Sequence, residues 1–163
     1  MNYQEKLKTL REKNSEILKL KSEIVDISSD IFDDFYKYIF DKYPTLESFG
    51  WTQYTPYFND GDTCVFSVNT DYITVNDDYV DESNWSQKTK VISWGTWNNN
   101  TRKYEGRVEE DNPEYDSILS EASNEITNFL GQFDNDFYLS KFGDHAQITI
   151  TKSGVNISDY DHD

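Results

Sequence analysis

Two histidines, one cysteine and a dense scatter of carboxylates are the groups in this 163-residue sequence that could do chemistry. His145 sits in a Gly-Asp-His turn and His162 in a closing Asp-Tyr-Asp-His-Asp run. Zinc sites draw on several His or Cys at short spacing, and one cysteine with two distant histidines does not supply that set. Calcium or magnesium would use oxygen ligands. Yet Asp60-Gly61-Asp62 and Asp134-Asn135-Asp136 lack a loop with a central glycine and a closing glutamate. Both acidic clusters read as solvated faces, so no metal and no cofactor are expected. Cys64 lies in an apolar run, where cysteine behaves as a small core residue. No Gly-x-Ser-x-Gly, phosphate-cradling loop or dinucleotide fingerprint occurs. A pair of acids can perform general acid–base work, but among 31 acidic residues no pair stands apart. The expectation is a protein that is not an enzyme.

The stretch WTQYTPYFNDGDTCVFSV, residues 51–68, is the most distinctive of the chain. Trp51, Tyr54 and Tyr57, with Thr52, Gln53 and Thr55 between them, combine flat apolar faces with hydrogen-bonding edges. Three readings follow. The rings stack on a small ligand, they anchor a protein interface, or they fill the core beneath a half-buried hairpin.

The elements that must position these groups follow from periodicity. From residue 2 to about 27, Leu7, Leu10, Ile17, Leu20, Ile24 and Ile27 recur at helical spacing, with neither Gly nor Pro between them. Heptad spacing draws a seam through Tyr3, Leu7, Leu10, Asn14, Ile17, Lys21 and Ile24, where the polar members would set register and oligomer state. Self-association through this helix and docking of the helix on its own domain both fit. A second helix is expected from Ser28, Ser29 or Asp30 as cap, with Ile31, Phe32, Phe35, Ile39 and Phe40 buried, ending at Pro44. Residues 49–58 alternate as a strand. Asn59–Asp62 make a turn in which Gly61 tolerates positive φ, and residues 63–69 return. Pro56 cannot donate to a ladder, so the first strand is expected at an edge or with a bulge. Further strands are expected at 72–75, 91–94 and 102–108, the last two joined by a turn at 98–101. Asn112-Pro113 opens a helix that buries Ile118, Leu119, Ala122, Ile126, Phe129 and Leu130 and stops at Gly131. Three short strands, beginning with Phe137–Phe142, close the chain. The fold class is α+β: an antiparallel sheet packed with helices, preceded by an amphipathic helix. The expected division is an N-terminal helical extension, 1–28, and an acidic α+β domain, 29–163.

Net charge is −16 and it is unevenly placed. Residues 1–42 carry 8 Lys/Arg against 9 Asp/Glu, whereas residues 43–163 carry 7 against 22. A body of that sign repels nucleic acid and anionic membranes and attracts basic surfaces. Mean hydropathy is low, −0.83, but aromatics at 16% bring large burial per residue. No apolar run is long enough to span a bilayer, and the first residues lack the apolar core of a signal peptide. A lone cysteine excludes an internal disulfide, and a cytoplasmic location is expected.

Trp51–Val68, together with Gly143–His145 and Tyr160–Asp163, resembles a family of small acidic proteins found mostly in phage and prophage sequences. That family couples a W-x-QYTPYFNDG(D/E) block with a GDH turn and a Y-(D/E)-H-D ending. The two blocks, Trp51–Val68 and the closing stretch Phe142–Asp163 that holds the turn and the ending, cover about a quarter of the chain. The resemblance implies a phage setting, hence the host cytoplasm, and marks Tyr54, Tyr57, Asp60, Asp62, His145 and His162. The binding candidates are therefore Trp51, Gln53, Tyr54, Tyr57, Asp60, Asp62, Asp144, His145, Asp161 and His162; those for self-association are Leu7, Leu10, Asn14, Ile17 and Ile24. The leading expectation is an acidic protein that engages and inhibits a basic host protein, nucleic-acid-binding or defensive, through charge complementarity. Direct nucleic acid binding and membrane binding are not expected. The rivals are an aromatic pocket that sequesters or hydrolyses a nucleotide-like ligand, and an oligomeric assembly protein built on the N-terminal helix.

Overall fold

The computed structural model describes residues 2–162. It has the expected α+β class: three helices cover one face of an antiparallel sheet. Helix α1 (Tyr3–Lys42) is capped by Asn2, whose side chain accepts from the Glu5 N–H while the Glu5 carboxylate accepts from the Asn2 N–H. The break expected at Ser28–Asp30 does not occur, and α1 runs unbroken through it. Ser and Asp favour caps, but mid-helix they cost only tenths of a kcal/mol, and burial of the next turn outweighs that. The division expected at 28/29 thus falls inside one helix, and packing changes there instead. Phe32, Ile39 and Phe40 are buried, whereas Leu10, Ile17, Leu20, Ile24 and Ile27 are exposed.

Strand β1 (Ser48–Tyr54) lies at the centre of the sheet. On one side it pairs along its length with β9 (Ala146–Thr151), which pairs in turn with β10 (Gly154–Asp159). On its other side lie β2 (Ser67–Val68) and β3 (Thr74–Val75), and β4 (Asp78–Tyr79) closes that edge. The expectation of an edge strand at 49–58 is therefore corrected. The strand ends at Tyr54, before Pro56, so the missing N–H never meets the ladder. Of the return segment only Ser67 and Val68 pair, yet Cys64, Phe66 and Val68 are half-buried in alternation as the pattern requires. A two-residue turn at Asn76-Asp77, both at positive φ, joins β3 to β4.

The remaining strands form a ribbon outside the main sheet. Strand β5 (Thr89–Ser93) pairs with β8 (Val108–Asp111), and β6 (Thr96–Asn98) pairs with β7 (Lys103–Glu105). The Asn98 side chain accepts from the N–H groups of Asn100 and Thr101 and closes the turn expected at 98–101. Helix α2 (Ser117–Leu130) begins later than Asn112-Pro113. Its cap is Asp116, which accepts from the N–H groups of Ile118 and Leu119. Asn112 instead binds the carbonyls of Asn84 and Gln87 at the base of the ribbon.

The expected strand at Phe137–Phe142 is instead helix α3 (Asn135–Phe142), capped by Asp134. The alternation of Phe137, Leu139 and Lys141 misleads, because tertiary packing wants Phe137, Tyr138 and Phe142 on one helical face, all buried. Phe32 is the hub of this aromatic core, with the rings of Trp51, Phe129, Phe133, Phe137 and Phe142 at 5.4–6.0 Å. Edge and tilted contacts of this kind add about 0.5–1.5 kcal/mol each beyond area burial. They explain how so hydrophilic a chain holds a core.

Candidate functional site

The two sequence blocks meet at one end of β1. Beyond Tyr54 the chain leaves the sheet, and the Asp144 carboxylate holds it there, accepting from the Thr55 N–H at 2.8 Å and its hydroxyl at 2.6 Å. The same carboxylate accepts from the His145 N–H at 2.8 Å. Burial pushes the Asp144 carboxyl up, but the Thr55 hydroxyl, the two N–H donors and the nearby His145 ring outweigh it and hold it below its ordinary 3.8. Gly143 at φ +85 and His145 at φ +49 make the tight turn that aims the imidazole.

Around that turn the rings stack. His145 Nδ1 lies 2.8 Å from His162 Nε2, so one nitrogen donates and the other accepts. Tyr57 lies flat against both imidazoles, with centroids at 4.9 and 4.5 Å and interplanar angles of 13° and 9°. Tyr54 packs on His162 at 3.9 Å and on Tyr160 at 5.5 Å. The Tyr160 N–H donates to the His145 carbonyl at 2.7 Å, which ties the chain's end to the turn. Tyr54, Tyr57, Asp144, His145 and His162 thus come together, and Asp161 lies beside them.

Two expected binding residues belong elsewhere. Trp51 is 2% exposed and Gln53 0%, so neither reaches a ligand. The Trp51 indole donates to Gln53 Oε1, while Gln53 Nε2 donates to the carbonyls of Tyr138 and Gly143. They are the buried polar knot beneath the turn. Asp60 and Asp62 sit on the exposed loop whose Asp62 N–H donates to the Asn59 carbonyl at 2.7 Å.

Two open clefts border the ring stack. One, of about 420 Å³, is lined by Tyr57, Asp144, His145, Asp159, Tyr160 and Asp161. The other, of about 280 Å³, is lined by Thr52, Asn69, Tyr72, Tyr79, Glu82 and Tyr160. Tyr160 is common to both. No Lys or Arg lines either cleft. Sequence reading did not select Tyr72, Tyr79, Glu82, Asp159 or Tyr160 as binding residues; the signal for them is tyrosine beside carboxylates in TDY, NDDY and SDYD, and for Tyr160 also its place at the head of the closing motif.

The body's cations lie elsewhere. Five of the seven basic residues after position 42, Lys88, Lys90, Arg102, Lys103 and Arg107, fall on or beside the ribbon. There Arg107 covers the Trp94 ring at 4.9 Å, and Trp94, Trp97 and Tyr104 are exposed. Lys141 is paired with Asp33 at 3.0 Å. Among the described residues, no group of three or more His, Cys, Asp or Glu is arranged to hold a metal ion, and no helix is long and apolar enough to cross a membrane. No protein-family model, no curated protein and no solved structure matches this chain.

Proposed function

We propose that this is a non-enzymatic binding protein that seats Lys or Arg side chains of a basic partner in the two clefts meeting at Tyr160. One observation carries the reading: both clefts are walled by tyrosines and carboxylates, with no cationic side chain among their lining residues. Tyrosine faces attract ammonium and guanidinium groups by about 0.5–2 kcal/mol each, depending on desolvation. The carboxylates of Asp144, Asp159, Asp161 and Glu82 add charge-assisted hydrogen bonds. A net charge of −16 steers a positive surface toward the clefts from a distance. In the phage setting that the motifs suggest, the partner is a basic nucleic-acid-binding or defence protein of the host, and occupying its positive surface inhibits it.

The nucleotide-pocket reading, with Trp51, Tyr54 and Tyr57 as floor and His145 beside them, keeps Tyr54, Tyr57 and His145 but loses Trp51, which is sealed in the core. It also lacks the cations needed for phosphate, since Arg102, Lys103, Arg107 and Lys141 line neither cleft.

Titration of the full chain with a fluorescent Lys/Arg-rich peptide, against a neutral peptide of equal length, tests the proposal. Expected are selective binding that weakens steeply with salt, and about tenfold lower affinity when Tyr57→Ala and Tyr160→Ala are combined. An affinity insensitive to both salt and these substitutions overturns it. So does a melting temperature raised by nucleotides and not by the basic peptide.

A further inference from the structure

From its N-cap to Ile31, α1 presents an apolar stripe that nothing in its own domain covers. The exposed side chains Leu10, Ile17, Leu20, Ile24, Ile27 and Ile31 follow one another at spacings of seven, three, four, three and four residues. This is a different line from the one through Leu7, Asn14 and Lys21. That line turns toward the protein's own body: Leu7 is half-buried, and the Lys21 ammonium lies 3.5 Å from Asp136 on α3. Leu10, Ile17 and Ile24 belong to the open stripe, whereas Asn14 flanks it. Phe32 and Ile39, one residue beyond Ile31 and Tyr38, mark the buried side, so the domain occupies the flank and leaves the stripe free. A helix projecting this far draws little stability from propensity alone; packing must hold it.

We infer that the occupant of the stripe is the same stripe of a second copy, in a parallel, in-register, two-stranded coiled coil. The heptad itself carries the argument. Leu10, Ile17, Ile24 and Ile31 fall at a, and Lys13, Leu20 and Ile27 at d. Isoleucine at a with leucine at d, the two-stranded combination, is present through the centre of the stripe at Ile17, Leu20 and Ile24, whereas Leu10 at a and Ile27 at d depart from it. Orientation follows from the flanking charges. In the parallel register Glu16 at g faces Lys21 at e of the other helix, an attractive pair formed twice, since the Lys21 ammonium is exposed enough to exchange its 3.5 Å contact with Asp136 for that glutamate. In the antiparallel alternative Lys21 meets Lys21, Glu23 meets Glu23 and Glu16 meets Asp30, all like charges, against the one like-charge contact of the parallel register, Lys13 with Lys13 at d. Because each domain sits on the flank of its own helix, the symmetry axis places the two acidic bodies on opposite sides. This inference concerns a face separate from the Tyr160 clefts and stands or falls without them.

The test uses the full chain with Cys64→Ser, so that an introduced thiol is unique. Light scattering is expected to give twice the 19.2 kDa chain mass. Lys13→Cys is expected to form a disulfide-linked dimer under mild oxidation, since identical d positions adjoin in the parallel register. In the antiparallel alternative the two thiols lie about 27 Å apart and do not react. Ile17→Glu with Ile24→Glu is expected to give monomers whose domain melts as before, because both residues are exposed in the single chain. A monomeric wild-type chain, a trimer, a dimer that the Lys13→Cys thiols fail to cross-link, or a dimer that survives the double glutamate variant each overturns the inference.

Discussion

Gln53→Leu probes whether the turn at 143–145 is held from below. The substitution keeps volume and removes three hydrogen bonds at a position that is 0% exposed. The Trp51 indole N–H loses its acceptor at 3.1 Å in a place water does not reach. A buried orphan of this kind costs about 1–3 kcal/mol. The Tyr138 and Gly143 carbonyls lose their shared donor, at 3.1 and 2.5 Å. Gly143 is exposed, so water replaces part of that loss. Against this, leucine gains about 1 kcal/mol from apolar burial. With about 1 kcal/mol for the two carbonyls, the net expectation is about 1–3 kcal/mol of lost stability, a sizeable fraction of the roughly 5–15 kcal/mol of a typical domain. Urea unfolding of the two proteins at equal m-value measures it. Trp51→Phe with Gln53→Leu closes a cycle: removing the indole N–H removes the orphan, so the double variant should lose at least about 1 kcal/mol less than the sum. A Gln53→Leu protein as stable as the parent, or a cycle with no coupling, would refute the polar knot.

Glycine gives a paired contrast. A Cβ at Gly50 would collide with the Ile148 carbonyl inside the β1–β9 ladder, so Gly50→Ala should cost about 2 kcal/mol or more or leave the protein insoluble. At Gly131, φ is −68° and the nearest atom is 3.5 Å away, so Gly131→Ala should be neutral or stabilise by up to about 1 kcal/mol in thermal melts. Asp144→Asn should reduce stability by about 1 kcal/mol, the value for partly exposed charge-assisted bonds after screening. The sign of its pH dependence follows from a carboxyl held low in the folded state. Its contribution is whole above the ordinary 3.8 and disappears as pH falls through the depressed value. The gap between parent and variant should therefore be constant at neutral pH and narrow in acid; a gap that widens in acid contradicts the assignment.

The sequence carries the class of this fold because its periodic signals are local. Leu119, Ala122, Ile126 and Leu130 repeat at helical spacing and are buried as the spacing requires, with Phe129 partly buried at the edge of that face and Ile118, in the first turn, exposed. Gly131 is the C-cap residue at the place the sequence puts the helix end, though in a helical conformation that needs no glycine, and Asn98 closes a turn through its own side chain. What misled were signals whose outcome depends on distant partners. Phe137–Phe142 alternates like a strand, yet Phe32, more than a hundred residues away, recruits Phe137 and Phe142 to one face of a helix. Ser28–Asp30 is a competent cap, but no local preference of that size stops a helix whose next turn delivers Phe32 to the core.

The motif residues divide by the same logic. Trp51 and Gln53 alternate with Thr52 on a strand that β9 and the short strands enclose on both sides, so every residue from Ser48 to Gln53 is buried. From the strand's last residue onward the same kind of composition is no longer buried, and Tyr54 and Tyr57 meet the chain's last residues instead of its core. The boundary is set by Pro56 and by the Asp144 carboxylate that captures Thr55. Neither the length of the strand nor the approach of residues 143–162 can be read from the block itself. The closing motif shows why only part of a site is visible in sequence: His162 and Tyr160 matter through what they stack against, and their partners lie some hundred residues earlier. Asp163, the last residue of that motif, lies outside the described residues. A single buried glutamine therefore joins the halves: Gln53 lies on the scaffold side of the boundary, yet its amide binds the Gly143 carbonyl, one residue from the site. Substituting it tests the scaffold by stability, and the orientation of His145 by the affinity of the cleft for a basic peptide. Should the first fall and the second stay unchanged, the knot supports the core but does not aim the site.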